Sequence, residues 1–149
     1  MQRLIKLIST FSLLGYSPVL PGTLGSLAGL LLYIIIAKDL KGYISISLII
    51  LVIGFLTSGK QERLFGIKDD KRIVIDEVSG MLLSLLFIPY EKLYYCAGFL
   101  LFRLFDICKP YPARKLEAMS GSAGIMLDDI VAALYTNLVL RIITCKVLQ

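Results

Sequence analysis

Four of the eleven acidic residues form adjacent pairs inside otherwise apolar sequence. Asp76-Glu77 interrupts IVIDEVSGMLLSLL, and Asp128-Asp129 interrupts GIMLDDIVAAL. Burying a carboxylate in apolar surroundings is costly unless it is paired or bound to a metal ion, and adjacent carboxylates also repel each other. Because a divalent cation removes both penalties, each pair predicts a metal site.

Each pair also has an alternative interpretation. Acidic residues are favoured in the first turn of a helix, where the macrodipole is positive. Neighbouring helical residues point about 100° apart, so one residue of Asp128-Asp129 faces the site while the other binds a second metal, a water or the backbone. Two such pairs in one chain favour the metal site.

A fifth carboxylate, Asp106, lies among basic residues. Arg103 comes three residues earlier on the same helix face, and Lys109 and Arg114 follow in FRLFDICKPYPAR. The alternative is a simple Arg103–Asp106 ion pair, but these cations are also suited to holding phosphate oxygens. Since the chain has no His, its oxygen ligands favour Mg²⁺ or Mn²⁺ over zinc.

The segment PGTLGS at 21–26 predicts a weaker anion site. Its glycines and small hydroxyls, Thr23 and Ser26, lead into an apolar run that we expect to be helical. Backbone N–H groups at a helix N-terminus bind anions. Pro-Gly loops are common between helices, so this segment alone is not specific.

Composition indicates a membrane protein with a single domain over 1–149. Hydrophobic residues make up 57% and charged residues 18% of the chain, and the alternative is an oligomer that hides a large apolar face. The net charge of +5 favours anionic lipid headgroups at cytoplasmic flanks. The basic residues are scattered, so nucleic acid is not expected as a partner.

The absence of His excludes Ser-His-Asp and Cys-His nucleophiles. Cys96, Cys108 and Cys145 are widely spaced and match no metal-ligand pattern or disulfide framework, so we expect small buried hydrophobes. A literal Cys-x5-Arg match from Cys108 to Arg114 resembles a cysteine-phosphatase loop. It is rejected because Pro110 and Pro112 lack the N–H groups such a loop needs.

The elements that must position these residues are helices. Apolar runs lack the alternation of strands, and none reaches about 18 residues without a charge or helix breaker. We therefore predict an all-α, compact, membrane-embedded helical bundle with three or four short spans and an amphipathic N-terminal helix.

The positions of the individual elements are also predicted. Thr23 is predicted as a helix cap, Lys41-Gly42 as a turn and 59–72 as a water-exposed connection. The predicted helices cover 3–14, 24–37, 43–58, 92–106 and 125–144, with an apolar segment at 73–88 and a short helix around 114–119.

Together these segments resemble the phosphatidylglycerophosphatase A family. The matching segments follow the family's order, and FRLFD-x-x-KP-x-P followed by GIM-x-DD is highly specific. The resemblance implies a bacterial inner-membrane enzyme, with its site toward the cytoplasm, that uses Mg²⁺ to convert phosphatidylglycerophosphate into phosphatidylglycerol. The segments are PGTLGS at 21–26, IVIDEVSG at 73–80, FRLFDICKPYPAR at 102–114 and GIMLDDIVA at 124–132.

Site residues are carried over position by position. One or two Mg²⁺ ions are expected to be held by Asp76, Glu77, Asp106, Asp128 and Asp129. The phosphate of the anionic lipid is expected to be bound by Arg103, Lys109, Arg114, Thr23 and Ser26. The expected catalytic residues are Asp106, Asp129 and Lys109.

Two alternative functions stay open. Carboxylates inside a membrane also mark proton and cation pathways, so a small ion-coupled carrier is the first alternative. The chain is short for a carrier and shows no internal repeat. The second alternative is a related phosphatase that acts on a different substrate.

The rejected cysteine loop gives a direct test. Replacing the thiol by a hydroxyl in Cys108→Ser is expected to leave phosphate release from phosphatidylglycerophosphate unchanged, because no step uses the thiol. Colorimetric phosphate release in detergent measures this, and loss of turnover would restore the cysteine mechanism.

Overall fold

A computed structural model of the protein describes residues 2–147, and this part of the chain forms seven α-helices and no strand. The all-α prediction is confirmed. A short 3-10 turn at Leu14–Tyr16 joins the first two helices. The helices are α1 Gln2–Ser9, α2 Pro21–Ile36, α3 Leu40–Phe65, α4 Ile75–Ser84, α5 Lys92–Cys108, α6 Ala113–Glu117 and α7 Ser122–Val147.

The long helices alternate in direction, so helix ends that are far apart in sequence meet at one end of the bundle. The starts of α2, α4 and α7 lie there with the ends of α3 and α5; we call this the site end. A hydrogen bond from Arg103 to Ser26 joins α5 to α2, and another from the Gly59 N–H to Ser122 Oγ joins α3 to α7. This arrangement collects all five predicted carboxylates.

Glycines allow α2 to pack closely on α4. A Cβ at Gly25 would lie 3.0 Å from the Val74 carbonyl oxygen, and one at Gly29 would lie 2.8 Å from that of Val78. Around this contact, Met81 and Phe102 are fully buried and form part of the main core. Close backbone approach therefore fixes the position of α4, which carries Asp76 and Glu77.

Several predicted helix boundaries are wrong. The Asp39 carboxylate accepts hydrogen bonds from the Lys41 and Gly42 N–H groups, so these two residues lie in the first turn of α3 and do not form a separate turn. At its other end α3 continues to Phe65, and Gly66 terminates it with a φ of 67°. About half of the predicted connection 59–72 is therefore helical.

The N-terminal elements also differ from the prediction. Helix α1 ends at Ser9, before three residues with positive φ that begin at Phe11. Helix α2 begins at Pro21 after a left-handed Leu20, so Thr23 lies within the first helical turn and does not cap it. Proline is favoured at the first helical position, where its missing N–H costs nothing.

Apolar side chains cover much of the outer surface. Within the described range, α3 and α7 are long and apolar enough to cross a membrane, and only 17% of the most apolar window of α3 is buried. Such a helix differs from the buried core helix of a soluble protein, so membrane embedding is plausible.

All three cysteines are exposed, and the prediction that they are buried is wrong. Cys96 and Cys108 lie on α5, and Cys145 lies on α7.

The contact between α2 and α4 predicts a stability effect. Gly29→Val is expected to destabilise the fold by about 1–3 kcal/mol, the usual cost of overpacking, because its Cβ meets the Val78 backbone and Met81. Thermal unfolding in detergent measures this. The control Leu31→Val alters the exposed side of the same helix and should change stability by less than about 0.5 kcal/mol; equal effects would contradict the packing argument.

Candidate metal centre

A cavity of about 400 Å³ opens at the site end. Its walls come from the start of α2, the loop before α4, the start of α4, the second turn of α7 and the last two turns of α5. All five predicted carboxylates line it. Sequence segments that were linked only by residue type therefore share one cavity.

Three of these carboxylates form a tight cluster. Asp76 and Glu77 lie in the first turn of α4, and Asp129 lies in the second turn of α7. One oxygen from each lies within 4.8 Å of the others. Asp76 and Asp129 are 7% and 4% exposed, so water does little to screen their repulsion. The cluster offers hard oxygen ligands from two helices.

The cluster also has unused acceptor atoms. Asp76 Oδ1, Glu77 Oε2 and Asp129 Oδ1 are buried and have no hydrogen-bond partner in the described part of the chain. Burial raises the pKa of Glu77 to about 7, and burial together with the charges of Glu77 and Asp129 raises the pKa of Asp76 well above its usual range. A hard divalent cation fits these oxygens and would favour their charged forms.

Helix-end capping does not account for both acidic pairs. Asp76 and Glu77 occupy the first turn of α4, as the macrodipole interpretation also predicts. Asp128 and Asp129 are the seventh and eighth residues of α7, beyond the first turn, where the dipole effect has faded. The macrodipole therefore does not explain the second pair.

Asp106 lies on the cavity wall in an ion pair. Arg103 Nη1 lies 2.5 Å from Asp106 Oδ2 and donates a second hydrogen bond, of 3.2 Å, to Ser26 Oγ. Ser26 in turn donates to the Gly22 carbonyl oxygen. The predicted ion pair thus exists, and Ser26 holds the guanidinium beside the first turn of α2.

Asp128 forms an ion pair with Lys109. Lys109 Nζ lies 2.7 Å from Asp128 Oδ2 and 2.7 Å from Glu117 Oε1. Lys109 has a φ of 44° and follows the last residue of α5, which turns its side chain back into the cavity. Burial opposes its charge, but the two hydrogen bonds raise the pKa of the ammonium above its ordinary value. Lys109 thus compensates the charges of Asp128 and Glu117.

The first turn of α2 forms another wall. Gly22 and Thr23 line the cavity there. N–H groups in the first turn of a helix have no acceptor within the helix, and the macrodipole favours anions beside them. Phosphate oxygens suit this position, between the carboxylate cluster and Arg103.

Arg114 is not brought to the cavity. It is exposed on α6 and borders a separate surface depression with Lys68 and Asp69. The short α6 directs the side chain outward from the site end. Of the predicted phosphate-binding residues, Thr23, Arg103 and Lys109 line the cavity, Ser26 contacts Arg103, and Arg114 lies outside.

Residues of the polar segment before α4 also line the cavity, and sequence reasoning missed them. They are Asp69, Asp70 and Lys71. Arg72 donates hydrogen bonds of 2.8 and 2.6 Å to Asp70 and lowers the pKa of that carboxyl. The acidic pair DD in IKDDKR was the available signal, but its polar setting indicated an exposed loop.

Glu62 fixes this segment against α7. Its Oε1 accepts a 3.0 Å hydrogen bond from the Asp69 N–H, and its Oε2 accepts one of 3.0 Å from the Gly121 N–H. One side chain near the end of α3 therefore holds both the loop before α4 and the entry to α7.

Comparison with known proteins finds a family model and similar sequences for this chain. The family model for phosphatidylglycerophosphatase A matches residues 7–144. A phosphatidylglycerophosphatase A of Escherichia coli K12 is 36% identical over 121 residues, which cover 79% of this chain and 70% of the relative. One of Haemophilus influenzae is 37% identical over 123 residues, which cover 80% and 76%.

A third relative carries a different name. A Bacteroides thetaiotaomicron protein, provisionally named a phosphatidylinositol-3-phosphatase, is 34% identical over 137 residues, which cover 86% of each chain. No solved structure matches this chain. The family model spans nearly the whole chain, and the relatives share more than a third of aligned residues. The chain belongs to the phosphatidylglycerophosphatase A family.

Proposed function

We propose that this protein is a magnesium-dependent lipid phosphatase that hydrolyses phosphatidylglycerophosphate to phosphatidylglycerol and inorganic phosphate. Family membership and the names of two relatives support the substrate. The observation that carries the proposal is the cluster of Asp76, Glu77 and Asp129, with unpartnered buried oxygens beside a helix N-terminus.

Asp76, Glu77 and Asp129 would hold the magnesium ion, with Asp106 and Asp128 as further carboxylates of the same cavity. When bound, Mg²⁺ supplies Lewis-acid polarisation of the phosphate and eases deprotonation of water. The absence of His and of suitably placed Cys favours this hard cation over zinc.

The chain's own residues would bind and orient the phosphate. The first turn of α2, with Thr23, lies where phosphate oxygens can accept backbone hydrogen bonds. Arg103, held by Ser26 and Asp106, and Lys109, held by Asp128, neutralise the phosphate charge. Arg114 is assigned to the outer surface, where it would meet anionic headgroups.

The reaction exchanges one phosphorus–oxygen bond for another. The oxygen of water forms the new bond to phosphorus, and the bond to the terminal glycerol oxygen breaks. The proton lost from water ends on that glycerol oxygen. Asp106, Asp129 and Lys109 are the proposed catalytic residues, since they surround the space where this exchange would occur.

The exposed apolar surface supports embedding through four helices, α2, α3, α5 and α7. Positively charged residues favour the cytoplasmic side of membranes. Only five of the 16 Lys and Arg residues lie toward the opposite end of the bundle, so the site end would face the cytoplasm in a bacterial inner membrane. Those five are Lys38, Lys41, Lys92, Arg141 and Lys146. Association into a homo-oligomer stays a prediction.

Single carboxylate replacements test the catalytic assignment. Asp106→Asn and Asp129→Asn are each expected to lower turnover by roughly 10³-fold, the scale for removing a group that acts in the transition state. Phosphate release in detergent measures the effect. Because Asp129→Asn removes a repelling charge, its unfolding temperature without metal should not fall.

The matched control for these variants is Asp39→Asn at the opposite end of the bundle. Asn caps a helix about as well as Asp, so α3 and turnover should be unaffected. Full activity in both Asp106→Asn and Asp129→Asn would contradict the site assignment.

Substrate and metal are tested together. Phosphate release from phosphatidylglycerophosphate micelles should stop in EDTA, return with Mg²⁺, and exceed release from phosphatidylinositol 3-phosphate. Faster release from the second lipid would favour the substrate named for the Bacteroides relative. No release from either lipid, together with cation flux in liposomes, would favour the carrier.

A further inference from the structure

Gly22 lies against the Glu77 carboxylate at the cavity wall. A Cβ built on Gly22 would lie 2.3 Å from Glu77 Oε1 and 3.4 Å from Arg103 Nη2. Ordinary van der Waals contact begins at 3.4 Å, so the carboxylate oxygen would have to move by about 1 Å. Glu77 can occupy its position only because residue 22 has no side chain.

The other glycines on this side of α2 meet different atoms. A Cβ at Gly25 would lie 2.9–3.0 Å from the Cβ and backbone oxygen of Val74 and 3.3 Å from Glu77 Cβ, which is not part of the carboxylate. A Cβ at Gly29 would meet Val78 and Met81. These two positions set the distance between α2 and α4. Gly22 instead faces the flexible end of a side chain, so a methyl group there would displace the carboxylate and leave the helices in place.

The displaced group belongs to the carboxylate cluster. Glu77 Oε2 is buried without a hydrogen-bond partner in the described range, and one Glu77 oxygen lies within 4.8 Å of ligand atoms from Asp76 and Asp129. The same first turn of α2 supplies the N–H groups proposed to bind phosphate. Gly22 therefore sets the distance between the carboxylate and this anion-binding turn.

We propose that Gly22 is a positioning residue, which lets the Glu77 carboxylate lie against the first turn of α2 so that cation and phosphate are held side by side. This inference rests on the proposed function. It concerns a residue that contributes no chemical group and acts only through the space that it leaves.

The test is Gly22→Ala in the full chain, purified in detergent. Mn²⁺ binding, followed by electron paramagnetic resonance, should weaken by about 10–100-fold, the scale for disturbing the support of a metal ligand. Displacing a reacting group by about 1 Å should lower kcat/KM by about 10²-fold. The unfolding temperature without metal should not fall, because Ala is the better helix former. Leu27→Ala, on the exposed side of α2, should leave Mn²⁺ binding unchanged.

A double-mutant cycle separates positioning from general disturbance. Glu77→Asp shortens the side chain by one methylene and relieves the collision with a methyl at residue 22. The loss of Mn²⁺ affinity caused by Glu77→Asp should therefore be smaller in the Gly22→Ala background than in the unmodified protein. Independent, multiplicative losses would overturn the positioning role.

The outcomes distinguish this inference from the proposed function. If the unmodified protein binds Mn²⁺ no better than Asp129→Asn does, the metal assignment fails, and the positioning role fails with it. If the unmodified protein binds Mn²⁺ tightly and Gly22→Ala binds it equally well, only the positioning role is overturned.

Discussion

The repulsion among buried carboxylates is the constraint on which the rest of this structure depends. Oxygens of Asp76, Glu77 and Asp129 lie within 4.8 Å of one another with little water to screen them. At short range in a poorly screened interior, like charges cost several kcal/mol, so the fold must supply compensation. The positions of the helix ends, the internal cations and the close packing of α2 on α4 can all be understood from this requirement.

The five carboxylates divide into two groups by how they are compensated. Asp106 and Asp128 each have an internal cation, Arg103 and Lys109, at hydrogen-bond distance. Asp76, Glu77 and Asp129 form no ion pair within the described residues. Each of these three has a buried oxygen without a hydrogen-bond partner, as Asp128 also has. Cations of the chain thus pair with one group, and on the proposed function a divalent cation from solution would pair with the other. This division explains why a cavity rich in both charge signs is not simply a closed ion-pair network.

Sequence reasoning located the charged residues of the cavity better than it placed the boundaries of the helices. Residue types alone predicted helices, a cluster of acids and nearby phosphate-binding cations, because burial costs and ligand preferences depend on composition. The extent of α3 was missed because GKQER looks exposed, whereas Gly59 and Gln61 in this segment are buried in the folded chain. Asp69 and Asp70 were missed for the related reason that a polar loop can still line a cavity. The outward direction of Arg114 depends on α6, a turn too short for periodicity to orient.

The site lies at one end of the bundle because the helices alternate in direction. On the proposed function, the same end would lie at the depth of the lipid headgroups. Each long helix that enters or leaves the site end has an exposed apolar flank, including Leu31 on α2, Val52 on α3 and Leu104 on α5. A lipid with its tails beside these flanks would present its headgroup at the level where the helices begin and end. N-terminal N–H groups and side-chain cations are concentrated at that level, since helix starts carry partial positive charge and loops carry Lys and Arg. On the proposed function, the alternating helices therefore serve two needs at once: they stabilise buried carboxylates in apolar surroundings and place them at headgroup depth.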